Sequence, residues 1–368
     1  MKLLILGGTR FLGRHLAELA LQAGHELTLM HRGRSGPELF PEAEHLIADR
    51  DDSLALLQDG VWDAAIDTSA YVPRQVHAVA EALAGRVSTY QLVSTVSVYA
   101  DLNAGPHGLT DETAEVQTLE DPRSETVTGA TYGGLKALCE VAAWDGFEGR
   151  CLIARPGLLV GPHDPTGRFT WWVQRLLRGA GNDDQNDTNT STDTDTDTDT
   201  DTDTDTDHTM LAPGDPDAPV QCIDARDAAA WLLQQAEQGQ TGVFNLTGPE
   251  APTTMGRLLA AGAQALNSRA RPLWVDEDFL LAQGVQPWTD LPLWLPRADA
   301  GLHRIDIERA LATGLQCRAL ARTFADTAAW AGTAPPPATE GPPRPPVGLS
   351  PEREAALLAA WRAASTAR

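Results

Sequence analysis

Short apolar runs, each closed by glycine or aspartate, alternate with helix-period segments through the first half of this chain. Leu3–Leu6 is followed by glycine, Phe11–Ala23 has helical spacing, and Glu26–Met30 is again short and apolar. His45–Ile47, Ala64–Ile66 and Tyr90–Val93 continue the series, with Gln75–Leu83 as a helix between the last two. Repeated β-α-β units of this kind imply an α/β architecture, a doubly wound parallel sheet covered by helices on both faces. A mostly helical fold would not explain the glycine and aspartate that close several of the runs.

The 368 residues suffice for one large domain or two intimately joined ones. The net charge of −23 overstates the acidity of any folded part, because eleven aspartates lie within Asn182–Asp207, leaving −12 for the rest. Either figure argues against a nucleic-acid partner, whose backbone needs a basic face. Cys139, Cys151, Cys222 and Cys317 lie far apart without metal-ligand spacing and read as reduced, buried small hydrophobes. The apolar run in MKLLILGG stops too soon for a signal peptide, and no later run reaches membrane-spanning length. A soluble, cytoplasmic protein is expected.

Asn182–Asp207 is different in kind, a polar stretch that settles into unbroken Asp-Thr alternation. Nothing in it can enter a core, so a disordered surface insertion over 182–208 is expected, and no metal site, since a calcium loop's glycine and closing glutamate are missing. Beyond it come Val220–Ile223, a helix near Ala225–Gln235, Gly242–Leu246 and a helix from Thr253. A proline-rich linker spans 333–349. Ser350-Pro351-Glu352 then opens a terminal helix over 350–368, whose Leu357, Leu358 and Trp361 form an apolar stripe for docking.

Between the first strand and first helix lies Gly7-Gly8-Thr9-Arg10-Phe11-Leu12-Gly13. Glycine lets a backbone turn tightly and approach a pyrophosphate, whose charge the helix N-terminus holds. At the end of the second strand, Met30-His31-Arg32-Gly33-Arg34 has no acid to bond a ribose hydroxyl. Arg32 can instead hold a 2′-phosphate through paired hydrogen bonds, so NADP is expected rather than NAD.

Lysine occurs only at Lys2 and Lys136, and the second lies four residues after one of only four tyrosines, in Tyr132-Gly133-Gly134-Leu135-Lys136. Positions i and i+4 share a helical face, so the ammonium can approach the phenol or a ribose bound beside it. A free phenol titrates near about 10, and a nearby cation favours phenolate.

The loop GGTRFLG, Asp49 in IADRD, and LVSTVSVY, YGGLK, ARPGLLVGP and IDARDAA follow one another in an order that resembles the short-chain dehydrogenase/reductase superfamily. The likeness is to its extended, atypical NAD-dependent epimerase/dehydratase-like branch. It implies a Rossmann-like domain over 1–155 and a smaller mixed α/β substrate lobe with interleaved Rossmann elements over 156–332. It also implies that Thr95, or its neighbour Ser94, with Tyr132 and Lys136 performs hydride and proton transfer on a sugar-nucleotide-like or related hydroxy/carbonyl substrate. Gly7, Thr9, Arg10, Phe11, Leu12, Gly13, Arg32, Asp49 and Ser69 would hold the cofactor together with Tyr132 and Lys136, Asp49 contacting the adenine amine. His163, Arg168, Gln221 and Arg226 are candidate substrate contacts, although Arg226 between Asp224 and Asp227 also reads as a structural ion pair. A homodimer through helices of the first domain is implied as well. Arg10 stands where the family has glycine, a mark of divergent members. Some of those keep the fold as non-catalytic, cofactor-bound sensors or scaffolds.

Overall fold

A computed structural model describes residues 1–52, 54–102, 108–179, 208–333 and 346–366. The expected Asp-Thr insertion up to residue 207, and 334–345 of the proline-rich stretch, lie outside the described residues. The chain divides into two units. One comprises Met1–Pro165, Pro219–Thr253 and Arg297–Ala319, the other Thr166–Ala218, Thr254–Pro296 and Leu320–Arg368.

The first unit is built on strands β1 (Lys2–Leu6), β2 (Glu26–His31), β3 (Glu44–Ile47), β4 (Trp62–Asp67), β5 (Val87–Val93), β6 (Cys151–Pro156) and a seventh, Gly242–Leu246. From one edge the order is the seventh strand, β6, β5, β4, β1, β2, β3, with every pair parallel. The order reverses at β1 and β4, and the strand ends there form the crevice where open α/β sheets bind ligands.

Alternate side chains of β1 enter opposite cores. Leu3 and Ile5 join Leu12 and Leu16 of helix α1 (Phe11–Gln22) and Ala228 and Leu232 of a helix at Ala225–Gln238. Leu4 and Leu6 join Val76 and Val79 of α2 (Pro73–Ala82) and Cys139 and Ala143 of α3 (Tyr132–Gly146). A strand buried on both faces needs a continuous apolar run, which KLLIL supplies. Truncating Leu4 to alanine would cost about 2–5 kcal/mol, since the leucine is fully buried.

In the second unit, strands Thr209–Pro213 and Arg271–Val275 pair in parallel. Helices Arg168–Leu177, Met255–Ala265 and Leu320–Thr333 bury Phe169, Trp172, Leu258 and Phe324. The terminal helix Pro351–Thr366 starts as its sequence predicts, with Ser350 Oγ accepting from the Arg353 N–H at 3.2 Å. It docks on this unit. Leu357 and Leu358 are buried, and Glu354 accepts from Arg175 Nε at 2.7 and 2.9 Å and from the Leu211 N–H at 2.9 Å. Trp171, Trp172 and Trp294 are buried in packing, whereas Trp288 is partly exposed.

Candidate active site

The glycine loop makes its turn at Gly7, whose φ of +99° suits only glycine and whose N–H donates to the Met30 carbonyl at 2.9 Å. Gly13 lies so near the Gly7 carbonyl that a Cβ would collide with it, which brings the start of α1 close to the turn. Arg10 is extended at φ −133° and exposed, so its side chain is accommodated without strain. The left-handed torsion falls instead on Phe11, at φ +38°. No acidic residue occupies the first turn of α1 and no side chain caps it, which leaves its positive end suited to an anion.

Beyond β2, Arg32 and Arg34 are exposed, and Arg34 Nη2 reaches Asp49 at 4.0 Å. The loop between them is pinned by a chain of hydrogen bonds. The Gly33 N–H donates to His31 Nδ1 at 3.1 Å, His31 Nε2 meets His45 Nδ1 at 2.8 Å, and His45 Nε2 meets the Phe40 carbonyl at 3.0 Å. Since carbonyls only accept and backbone N–H groups only donate, the chain fits a proton on Nε2 of each ring. Burial, then the neighbouring His45, lowers the pKa of His31 accordingly.

Arg50 holds the next turn. Its guanidinium donates to both oxygens of the fully buried Asp67, at 2.8 and 2.7 Å, and to Ser69 Oγ at 2.9 Å. Tyr90 donates to the same carboxylate at 2.8 Å. Burial pushes Asp67 up, but the Arg50 charge and hydrogen bonds outweigh it and hold the carboxyl below its ordinary value. Ser69, expected at the cofactor, is thus engaged by Arg50. Its N–H also donates to Asp67 Oδ1 at 2.9 Å.

Thr95 follows β5 and caps a short 3₁₀ turn, its Oγ1 accepting from the Ser97 N–H at 3.1 Å. Tyr132 is the first residue of α3. Its phenol is pushed up to about 12, by burial first and the adjacent Tyr71 second, while the Thr95 hydroxyl works in the opposite direction. Lys136 is buried one turn on, its Nζ donating to the carbonyls of Ala70 at 2.7 Å and Val93 at 2.8 Å. Burial lowers the pKa of Lys136.

Ser94, the alternative to Thr95, donates to Glu140 at 2.5 Å. Glu140 is also bound by Arg155 through Nε at 3.0 Å and Nη2 at 2.6 Å. That leaves Thr95 as the hydroxyl facing Tyr132.

Three substrate candidates, His163, Gln221 and Arg226, lie in the first unit and Arg168 in the second. His163, at φ +67°, has its ring 5.6 Å from that of His15, and burial, then Arg14, pushes its pKa down to about 4. Arg226 is bidentate to Asp224 at 2.9 and 2.7 Å, the structural pairing open to it in the sequence. Gln221 is occupied by backbone, donating to the Ile305 carbonyl at 3.0 Å and accepting from its N–H at 2.8 Å. Arg168 belongs to the second unit, where it lies 5.3 Å above the Trp288 ring. Among the described residues no cluster of three or more His, Cys, Asp or Glu could hold a metal ion. Nor is any helix there long and apolar enough to cross a membrane. The four cysteines are free thiols, three buried and Cys317 partly so.

Sequence reasoning did not single out Arg50, Tyr71 or Glu140. Glu140 was findable, being one further i+4 step along α3 from Lys136. Arg50 and Tyr71 carried no such signal, because their roles depend on neighbours brought together by the sheet.

The family model of the NAD dependent epimerase/dehydratase family matches residues 3–193. The chloroplast stem-loop binding protein of 41 kDa b from Arabidopsis thaliana is 31% identical over 195 residues, 48% of this chain and 47% of that protein. The chain therefore spans about half the length of this curated relative. Solved structures share the fold. The Bordetella bronchiseptica enzyme WbmH in complex with NAD+ matches with a TM-score of 0.62 at 16% identity, over 90% of this chain and 98% of that one. UDP-glucose 4-epimerase from Thermotoga maritima with UDP-glucose matches with a TM-score of 0.60 at 16% identity, over 90% and 99%.

Proposed function

The chain belongs to the NAD dependent epimerase/dehydratase family, and from that premise we propose that it binds NADP and catalyses epimerase-type hydride and proton transfer on a nucleotide sugar. The observation that carries this reading is the placement of Thr95, Tyr132 and Lys136 at the end of β5 and the start of α3.

The residues present fit a nicotinamide dinucleotide. Close contact between Gly13 and Gly7 leaves room for a pyrophosphate at the uncapped start of α1. Exposed Arg32 and Arg34, with no acid in Met30–Arg34, suit a 2′-phosphate. When bound, the nicotinamide supplies the hydride exchange.

At neutral pH the Tyr132 phenol keeps its proton, as a value of about 12 requires. With its proton on, it is set to protonate a carbonyl oxygen as hydride is delivered, whereas oxidation of a substrate hydroxyl first requires the phenolate, which accepts the hydroxyl proton. Thr95 donates to the same oxygen and orients it. Two backbone carbonyls fix Lys136 Nζ, which leaves its third N–H for a ribose hydroxyl. Val141 and Trp144, 56% and 47% exposed on α3, suit the homodimer that the family resemblance implies.

Calorimetric titration with NADPH and NADH tests the cofactor, and turnover of UDP-glucose by wild type and Tyr132→Phe tests the chemistry. Tight NADPH binding with activity lost in the variant is the expected result. Failure of both nucleotides to bind would overturn the reading.

One observation favours a second reading, a cofactor-bound protein without turnover: the Arabidopsis relative is named for stem-loop binding. The net charge of −23 opposes a phosphate backbone. Retention of a labelled RNA stem-loop at physiological salt would favour this reading over the first.

A further inference from the structure

Tyr71 stands beside the Tyr132 phenol. It is 50% exposed, its ring centroid lies 6.5 Å from that of Tyr132, and the two rings are tilted by 45°. Among the described residues its hydroxyl makes no hydrogen bond. A single exposed aromatic is ordinary on a protein surface. What distinguishes Tyr71 is how firmly its backbone is held.

The Ala70 carbonyl, in the peptide group that leads into Tyr71, accepts the 2.7 Å hydrogen bond from Lys136 Nζ. The Tyr71 N–H donates to Gln75 Oε1 at 2.9 Å, and Gln75 Nε2 in turn donates to Asp51 Oδ1 at 2.9 Å. Val72, next in the chain, is buried. A ring facing solvent on a backbone fixed in this way has little ordering entropy left to lose when a ligand packs against it. The exposed Tyr71 ring presents a flat apolar face beside the tilted Tyr132 phenol, with its own hydroxyl at the tip. Such a platform suits a pyranose, whose ring offers C–H groups to an aromatic face and hydroxyls around its edge.

Resting on the nucleotide-sugar reading of this site, we propose that Tyr71 is a substrate-binding residue whose ring packs against the hexose, with Lys136 setting its position through Ala70.

The test is calorimetry of the full chain saturated with its nicotinamide cofactor, titrated with UDP-glucose and separately with UDP, which lacks the hexose. Tyr71→Ala should weaken UDP-glucose by about tenfold and leave UDP unchanged. Tyr71→Phe, which keeps the ring, should stay within about twofold of wild type. Tyr71→Leu, equally apolar without the ring, should follow the alanine variant. Equal losses for UDP and UDP-glucose, a loss of cofactor affinity, or unchanged UDP-glucose binding in Tyr71→Ala would each overturn the assignment while the nucleotide-sugar reading stands. A wild-type protein that binds cofactor but neither uridine nucleotide would overturn that reading, and this assignment with it.

Discussion

Arg50 and Asp67 form a buried two-point ion pair, with N–H···O distances of 2.8 and 2.7 Å and the carboxylate wholly hidden from solvent. The pair joins the turn carrying Asp49 to the end of β4, and Tyr90, stacked 4.0 Å from Phe147, donates to the same carboxylate. Removing only the arginine strands a charge in the core. Arg50→Ala should therefore cost about 3–5 kcal/mol in urea denaturation, and Arg50→Met with Asp67→Leu distinctly less. A single variant within about 1 kcal/mol of wild type would show that the pair does not hold this turn.

Tyr132→Phe keeps the ring and removes the proton that the site is proposed to move. Turnover should fall by about 10²- to 10⁴-fold, with melting temperature unchanged and any loss of cofactor affinity far smaller than the loss of turnover. Lys136→Arg should not preserve activity, because a planar fork cannot replace a point charge between the Ala70 and Val93 carbonyls. Steady-state kinetics alongside cofactor titration separates chemistry from binding.

Arg32→Ala should weaken NADPH by about tenfold or more, the scale of a charged hydrogen bond to phosphate. NADH affinity should be unaffected. Equal effects on both would place Arg32 away from the 2′ position, and fluorescence titration of the two nucleotides decides it.

His163 and His31 both have pKa values below 6.5 in the folded chain, that of His163 pushed down to about 4. Each resists protonation when folded and accepts it when unfolded. The stability they contribute is therefore complete above pH 6.5 and lost as pH falls through their lowered folded values, which for His163 is about 4. Urea midpoints measured from pH 7.5 down to pH 4.5 should decline in wild type. His163→Asn should remove part of that slope, and an unchanged slope would mean that the imidazole is solvated.

Much of the first unit was legible because a parallel strand must be apolar on both faces and a helix must repeat at its own period. KLLIL, ELTLMH and the FLGRHLAEL segment satisfy those demands locally, and their elements fall within a residue or two of expectation. The cap at Ser350 was readable for the same reason, since a hydroxyl and an N–H three residues on find each other without help from the rest of the chain.

The sequence by itself determined the parallel α/β sheet, the turn at Gly7 and the spacing that puts Tyr132 and Lys136 on one helical face. Each depends on covalent neighbours and a fixed period. Only the tertiary structure decided what those side chains meet. It gave Ser94 to Glu140 and turned Thr95 to Tyr132. It set the Lys136 ammonium on carbonyls 66 and 43 residues away and the Gln221 amide on the Ile305 backbone. It also buried the phenol, which raises its pKa to about 12, because burial depends on what packs above a residue. Hydrogen-bond partners and desolvation are properties of chain segments distant in sequence, and one-dimensional spacing carries no record of them.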